Sequence, residues 1–153
     1  MVTNKAAVKN DTITIKVKKL CDDAQMPTKR DGDAGFDFYA SETVYLMADT
    51  AGNKVSTGVA IEMPKGYYME LFMRSSYGAK TALRLSNCVG IVDNSYRGEI
   101  KGMFDNHGVP TVIHKGERFM QGIIKKEIPA EMVLTKTLTK TKRNEGGFGS
   151  TGV

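Results

Sequence analysis

Residues 12–18, Thr12-Ile13-Thr14-Ile15-Lys16-Val17-Lys18, alternate polar and apolar side chains at period two, and the 3.6-residue spacing of a helix is nearly absent from the chain. Period two places successive side chains on opposite faces of an extended segment, so this stretch is expected to be a half-buried strand. Residues 34–40, 43–46, 54–63 and 67–73 read the same way, with Gly52-Asn53 expected as the turn between 43–46 and 54–63 and Pro64-Lys65-Gly66 as the next turn. Residues 109–113 and 119–124 add two more strands around Gly116-Glu117-Arg118, and the polar stretch 26–33 must be a loop. One short helix is expected, from Ser75 or Ser76 through Leu83, with a serine as its cap. An all-β chain with one short helix follows, and 153 residues make one domain with a core of its own.

Composition narrows the partners. Cys21 and Cys88 fit neither a disulfide framework nor a paired metal motif, so both are expected to be small apolar fillers in a reducing compartment. No apolar run approaches a membrane span and residues 1–9 lack the apolar core of a signal peptide, which predicts a soluble cytoplasmic protein with no membrane partner. The net charge of +5 comes from 22 basic and 17 acidic residues spread along the chain. Without an arginine-rich block or a row of stacking aromatics, that charge favours small anionic ligands over nucleic acid. His107 and His114 stand at no metal or triad spacing and read as surface histidines.

Five features carry chemistry. Gly90-Ile91-Val92-Asp93-Asn94-Ser95-Tyr96-Arg97-Gly98-Glu99-Ile100 reads as a hairpin with a carboxylate and a tyrosine at one tip, where Asp93 either caps the turn or serves a ligand. Asp37, flanked by Phe36 and Phe38, is a solvent-face residue or a ligand group. Arg74-Ser75-Ser76 stands where a strand gives way to the helix, and free amides at a helix start attract anions, although Ser75 capping the helix and Arg74 pairing with an acid would explain it as well. Gln121 is an exposed strand position or a ligand contact. The glycine-dense end, residues 143–152, is a disordered tail or a lid whose free amides, one arginine and one phenylalanine could wrap a phosphorylated base. No Gly-Lys-Ser or Gly-Lys-Thr follows its glycines, so it is not a Walker loop.

Five blocks, Ala34-Gly35-Phe36-Asp37-Phe38-Tyr39-Ala40, Arg74-Ser75-Ser76, Gly90 to Gly98, Gly116-Glu117-Arg118-Phe119-Met120-Gln121 and Arg143 to Gly152, resemble in order and rough spacing the five motifs of trimeric dUTPases. The resemblance covers the chain from about residue 34 to its end. It implies a jelly-roll-like (β-clip) domain over residues 1–142, a glycine-rich C-terminal lid over 143–153, and a homotrimer with shared active sites at the subunit interfaces. It also implies dUTP as substrate, dUMP and pyrophosphate as products, and Mg2+ as cofactor, in the service of keeping uracil out of DNA and supplying dUMP for thymidylate synthesis.

On that resemblance the main chain of Gly90, Ile91 and Val92 with Lys101 would read uracil, Asn87 would lie nearby, and Tyr96 would lie against the deoxyribose. Asp93 would act as general base toward a water attacking the α-phosphorus. Arg74, Ser75, Ser76 and Gln121 would grip the phosphates. Phe148 would cover the base while Arg143, catalytic with Asp93, meets the phosphate chain together with Gly149 and Ser150. Asp37 would reach the metal through water. Ser95 departs from the acid often found there, and Ser76-Tyr77-Gly78 replaces the usual glycine and aliphatic residues. Rival readings are a dCTP deaminase, against which stand Tyr96 and the Gly-Gly-Phe-Gly-Ser tail, and a non-catalytic regulatory relative.

Overall fold

The structure, a computed structural model, describes residues 12–147. Ten strands and one helix follow in chain order among the described residues: β1 (Lys16–Lys19), β2 (Phe36–Tyr39), β3 (Val44–Leu46), β4 (Thr50–Glu62), β5 (Tyr67–Met73), α1 (Ser75–Lys80), β6 (Leu83–Leu85), β7 (Gly90–Val92), β8 (Glu99–Asn106), β9 (Thr111–Ile113) and β10 (Arg118–Lys126). They form a four-stranded sheet in the order β1-β4-β8-β6, a second in the order β2-β10-β5-β7, and a two-stranded β3-β9 ribbon, all antiparallel. The expected jelly-roll-like, all-β architecture with one short helix is what the chain adopts.

Alternation explains how the sheets close on each other. In β5, Met69 and Leu71 are buried while Tyr68, Glu70 and Phe72 face out. Phe38, Met69, Leu71, Phe119 and Met120 of one sheet meet Val55, Val59, Ile61, Ile100 and Phe104 of the other. Phe104 and Phe119 pack edge to face across the layers, ring centroids 5.8 Å apart. Each large side chain removed from water here contributes about 1.5–3 kcal/mol. Asn106, fully buried, is tolerated because its amide donates to the carbonyls of Leu46, Met47 and Val109, tying the ribbon to β8.

Several local expectations are corrected. The segment from Gly90 to Ile100 is not a hairpin: β7 pairs with β5 and β8 with β4 and β6, so residues 93–98 bridge the two sheets. Val92 and Ile100 are both buried, each in the sheet its own partners define. Gly52 and Asn53 lie inside β4 at an irregularity in its pairing, where the Gly52 N–H donates to Asp105 at 2.8 Å, and the turn falls at Ala48-Asp49 instead. The helix ends at Lys80 because Leu83 and Leu85 are drawn into the core as a strand. Its cap position is Arg74, with no side-chain cap bond, so Ser75 is the first helical residue and not the cap. β1 begins only at Lys16. Both cysteines are free and exposed, Cys88 in a left-handed conformation (φ 59°) in the loop between β6 and β7. No helix among the described residues is long and apolar enough to cross a membrane.

Candidate active site

Two clefts divide the residues singled out above. The first is lined by Leu71, Asn87, Gly90, Ile91, Val92, Asp93, Tyr96, Glu99, Ile100 and Lys101. β7 is the last strand of its sheet, so one of its edges carries main-chain N–H and C=O groups with no strand partner among the described residues. Gly90 lets that strand lie close on β5, since a Cβ there would meet the Leu71 side chain at 3.1 Å. The bridge after β7 is closed by its own backbone, Tyr96 N–H donating to the Asp93 carbonyl at 3.1 Å, and by the Arg97 guanidinium on the carbonyls of Asn94 and Tyr96. The Asp93 carboxylate is therefore not the group that holds the turn. It is exposed and makes no hydrogen bond or ion pair among the described residues.

Tyr96 lies folded back, its hydroxyl donating to the Glu99 carbonyl at 3.2 Å and its ring where a Cβ on Gly98 would stand. Glu99 and Lys101 form the far wall as an ion pair at 2.9 Å. Burial works to raise the Glu99 pKa, but the Lys101 ammonium and the Gly58 N–H outweigh it and hold the carboxyl below its ordinary range. The same pairing raises the Lys101 ammonium. The Gly58 donor is available because Gly58 turns at φ +67° within a pairing irregularity of β4, a conformation costly for other residues.

The second cleft is lined by Arg30, Asp33, Ala34, Gly35, Asp37, Arg74, Ser75, Arg118, Gln121 and Ile123. Asp37 and Gln121 are register partners across β2 and β10, and Gln121 and Phe72 across β10 and β5, so a row of outward side chains crosses the sheet. Asp37 is the hub: one oxygen accepts from Arg74 Nε at 3.1 Å, the other from Arg118 Nη1 at 3.0 Å. Arg74 also donates to the Arg118 carbonyl at 3.4 Å. The arginines are held with their remaining donors toward the cleft, where the first amides of α1 lack helical partners. Three guanidinium groups against two carboxylates make this an anion seat.

Asn87, Gly90, Ile91, Val92, Asp93, Tyr96 and Lys101 thus come together in one cleft, and Asp37, Arg74, Ser75 and Gln121 in the other, with no residue common to both. Ser76 is exposed beside the second cleft without lining it. Arg143 lines neither; its Nε donates to the Gly146 carbonyl at 2.8 Å in a turn of its own. Phe148, Gly149 and Ser150 lie outside the described residues. Arg30, Asp33, Arg118 and Glu99 were missed as site residues. Arg118 stood inside a quoted block, but nothing local to it told which face it takes. No three His, Cys, Asp or Glu side chains cluster among the described residues. A cation here would be held by its ligand and water, and the free lone pairs of Asp37 suit a water-mediated contact.

A family model described as dUTPase matches residues 22–152. The chain is 39% identical over 139 residues to a deoxyuridine 5'-triphosphate nucleotidohydrolase of Hydrogenobaculum sp., covering 90% of this chain and 96% of that one. It is 36% identical over 141 residues to that of Helicobacter pylori, covering 91% and 97%. Among solved structures it is similar to the Staphylococcus bacteriophage 80alpha dUTPase with dUpNHpp, at 28% identity and TM-score 0.86 over 93% of this chain and 100% of that one. A dUTPase mutant from phage phi11 of S. aureus, described with a structural Mg(II) ion, shares the fold at 23% identity and TM-score 0.77, over 83% and 99%. With its fold, its two clefts and these relatives, the chain belongs to the dUTPase family.

Proposed function

We propose that this dUTPase hydrolyses dUTP to dUMP and pyrophosphate at sites assembled between chains, the base cleft of one meeting the phosphate cleft of another in a homotrimer. The observation that carries the reading is the division of labour on one chain. A neutral-walled cleft with a free carboxylate at its mouth and a cationic cleft share no residue. Uracil pairs with the unpartnered main chain of Gly90, Ile91 and Val92 and with Lys101, Asn87 beside it. Cytosine presents a donor where the backbone also donates, and a buried unpaired donor costs about 1–3 kcal/mol. Tyr96 lies against the deoxyribose and leaves no room for a 2′-hydroxyl.

Asp93 accepts a proton from a water as the water oxygen bonds to the α-phosphorus, and the bond from that phosphorus to the bridging oxygen breaks to release pyrophosphate. Arg74, Ser75, Ser76 and Gln121 hold the phosphate chain, with Asp37 and Arg118 keeping Arg74 in place. Magnesium, when bound by the phosphates, supplies charge neutralisation and a fixed phosphate conformation. The tail, with Arg143, Phe148, Gly149 and Ser150, closes the site and excludes bulk water. Residues 1–142 form the domain and 143–153 the lid. The enzyme works in the cytoplasm, limiting uracil in DNA and supplying dUMP. Pyrophosphate release from dUTP, dCTP and dTTP, measured with ammonia release in parallel, tests this. Release from dUTP alone without ammonia is expected, and ammonia from dCTP, or no reaction with dUTP, would overturn it.

A further inference from the structure

Arg30 lines the phosphate cleft, and its guanidinium has no partner among the described residues. The other two arginines of that cleft are committed to Asp37, whereas the Arg30 guanidinium makes no ion pair or side-chain hydrogen bond among the described residues. Its backbone is nonetheless well placed. Thr28 and Asp37 exchange two main-chain hydrogen bonds, at 3.1 and 2.7 Å, and the Thr28 hydroxyl bonds the Tyr39 phenol, so the loop is stitched to β2 two residues before Arg30. Arg30 N–H then donates to the Asp33 carboxylate at 3.2 Å, and Asp33 N–H returns to the Arg30 carbonyl at 3.2 Å.

The two adjacent cations of the loop go to different places. The Lys29 ammonium lies 5.6 Å from the centre of the Phe36 ring, which lines an apolar hollow with Ile15 and Val17, while Arg30 lines the cleft. A long cation on an anchored loop, unpaired beside an anion seat, is arranged to meet a ligand charge.

We propose that Arg30 is a substrate-binding residue that grips the pyrophosphate moiety of the nucleotide, the part farthest from the base. This rests on the dUTPase reading above. It assigns Arg30 to affinity for the β- and γ-phosphates and leaves proton transfer at the α-phosphorus to Asp93.

The test uses the full chain, wild type against Arg30→Gln and Arg30→Lys, with steady-state kinetics on dUTP and inhibition by pyrophosphate and by dUMP. Because the side chain is exposed and unbonded, both variants should fold as wild type does. Arg30→Gln is expected to raise KM for dUTP and to weaken pyrophosphate inhibition by roughly tenfold each, with kcat within about twofold, as loss of one charge-assisted contact would do. Inhibition by dUMP, which lacks the distal phosphates, should not move, and Arg30→Lys should recover part of the loss. KM and pyrophosphate inhibition both within about twofold of wild type would overturn the assignment, as would an equal weakening of dUMP. A wild-type enzyme inert toward dUTP would instead sink the underlying reading.

Discussion

An Asp93→Asn chain and an Arg74→Gln chain, each inactive alone, should regain activity when unfolded and refolded together in equal amounts. Asp93 lines one cleft and Arg74 the other, and no residue lines both. On the proposed reading, each base cleft of a closed symmetric ring would meet the phosphate cleft of a neighbour. After random assembly, half of the base clefts carry the good carboxylate and half of the facing phosphate clefts the good arginine, so roughly a quarter of sites are whole. Both chains keep their tails, so the lid does not limit the count. Neither substitution threatens the fold: the Asp93 carboxylate bonds nothing among the described residues, and Asp37 keeps Arg118 when Arg74 is lost. The assay is pyrophosphate release per site, set against the same variants mixed without unfolding, which should stay inactive. Mixed oligomers confirmed by native mass spectrometry and still as inactive as either parent would refute the shared site and place both clefts' work within one chain.

The remaining predictions concern single residues. Asp93→Asn should bind dUpNHpp as wild type does and lose about 10²–10⁴-fold in kcat, since an amide cannot take the proton; retention of more than about a tenth of turnover would remove Asp93 from the chemistry. Tyr96→Ala should admit UTP while still refusing dCTP, because sugar and base are read by different groups; unchanged rejection of UTP in competition assays would free Tyr96 of that role. Stability should depend on pH through the Glu99–Lys101 pair. Glu99, depressed from an ordinary 4.5, stabilises above that value and loses its contribution as pH falls through its folded pKa. Lys101, raised from 10.5, stabilises below that value and loses its contribution as pH rises through its folded pKa. Melting temperatures should therefore fall at both extremes, and Glu99→Gln should flatten both limbs; a variant with unchanged limbs would refute the pairing.

What local patterning could and could not reveal follows from what sets each feature. A strand announces itself through residues close by in the chain, which is why β5 was legible as residues 67–73. Pairing depends on distant partners, so Ile91-Val92 and Ile100 to Phe104 both announced strands, yet only Met69, Glu70 and Leu71 decided that β7 belongs beside β5. Turn chemistry misled at Gly52-Asn53 because Asp105, far along the chain, offers Gly52 a partner inside the sheet.

Arg118 shows the same limit at the site itself. It stands three positions before Gln121, which in a regular strand would put the two on opposite faces. The register shifts between Arg118 and Met120, so that two steps on β10 match one on β2, from Tyr39 to Phe38. Phe119 and Met120, adjacent, are both fully buried as a result. Arg118 is thereby returned to the outward face, where it closes on Asp37 beside Gln121. The residue that completes the arginine clamp is thus placed by a bulge that no periodicity within the block could disclose. Removing that irregularity would turn Arg118 into the core and leave Asp37 with Arg74 alone.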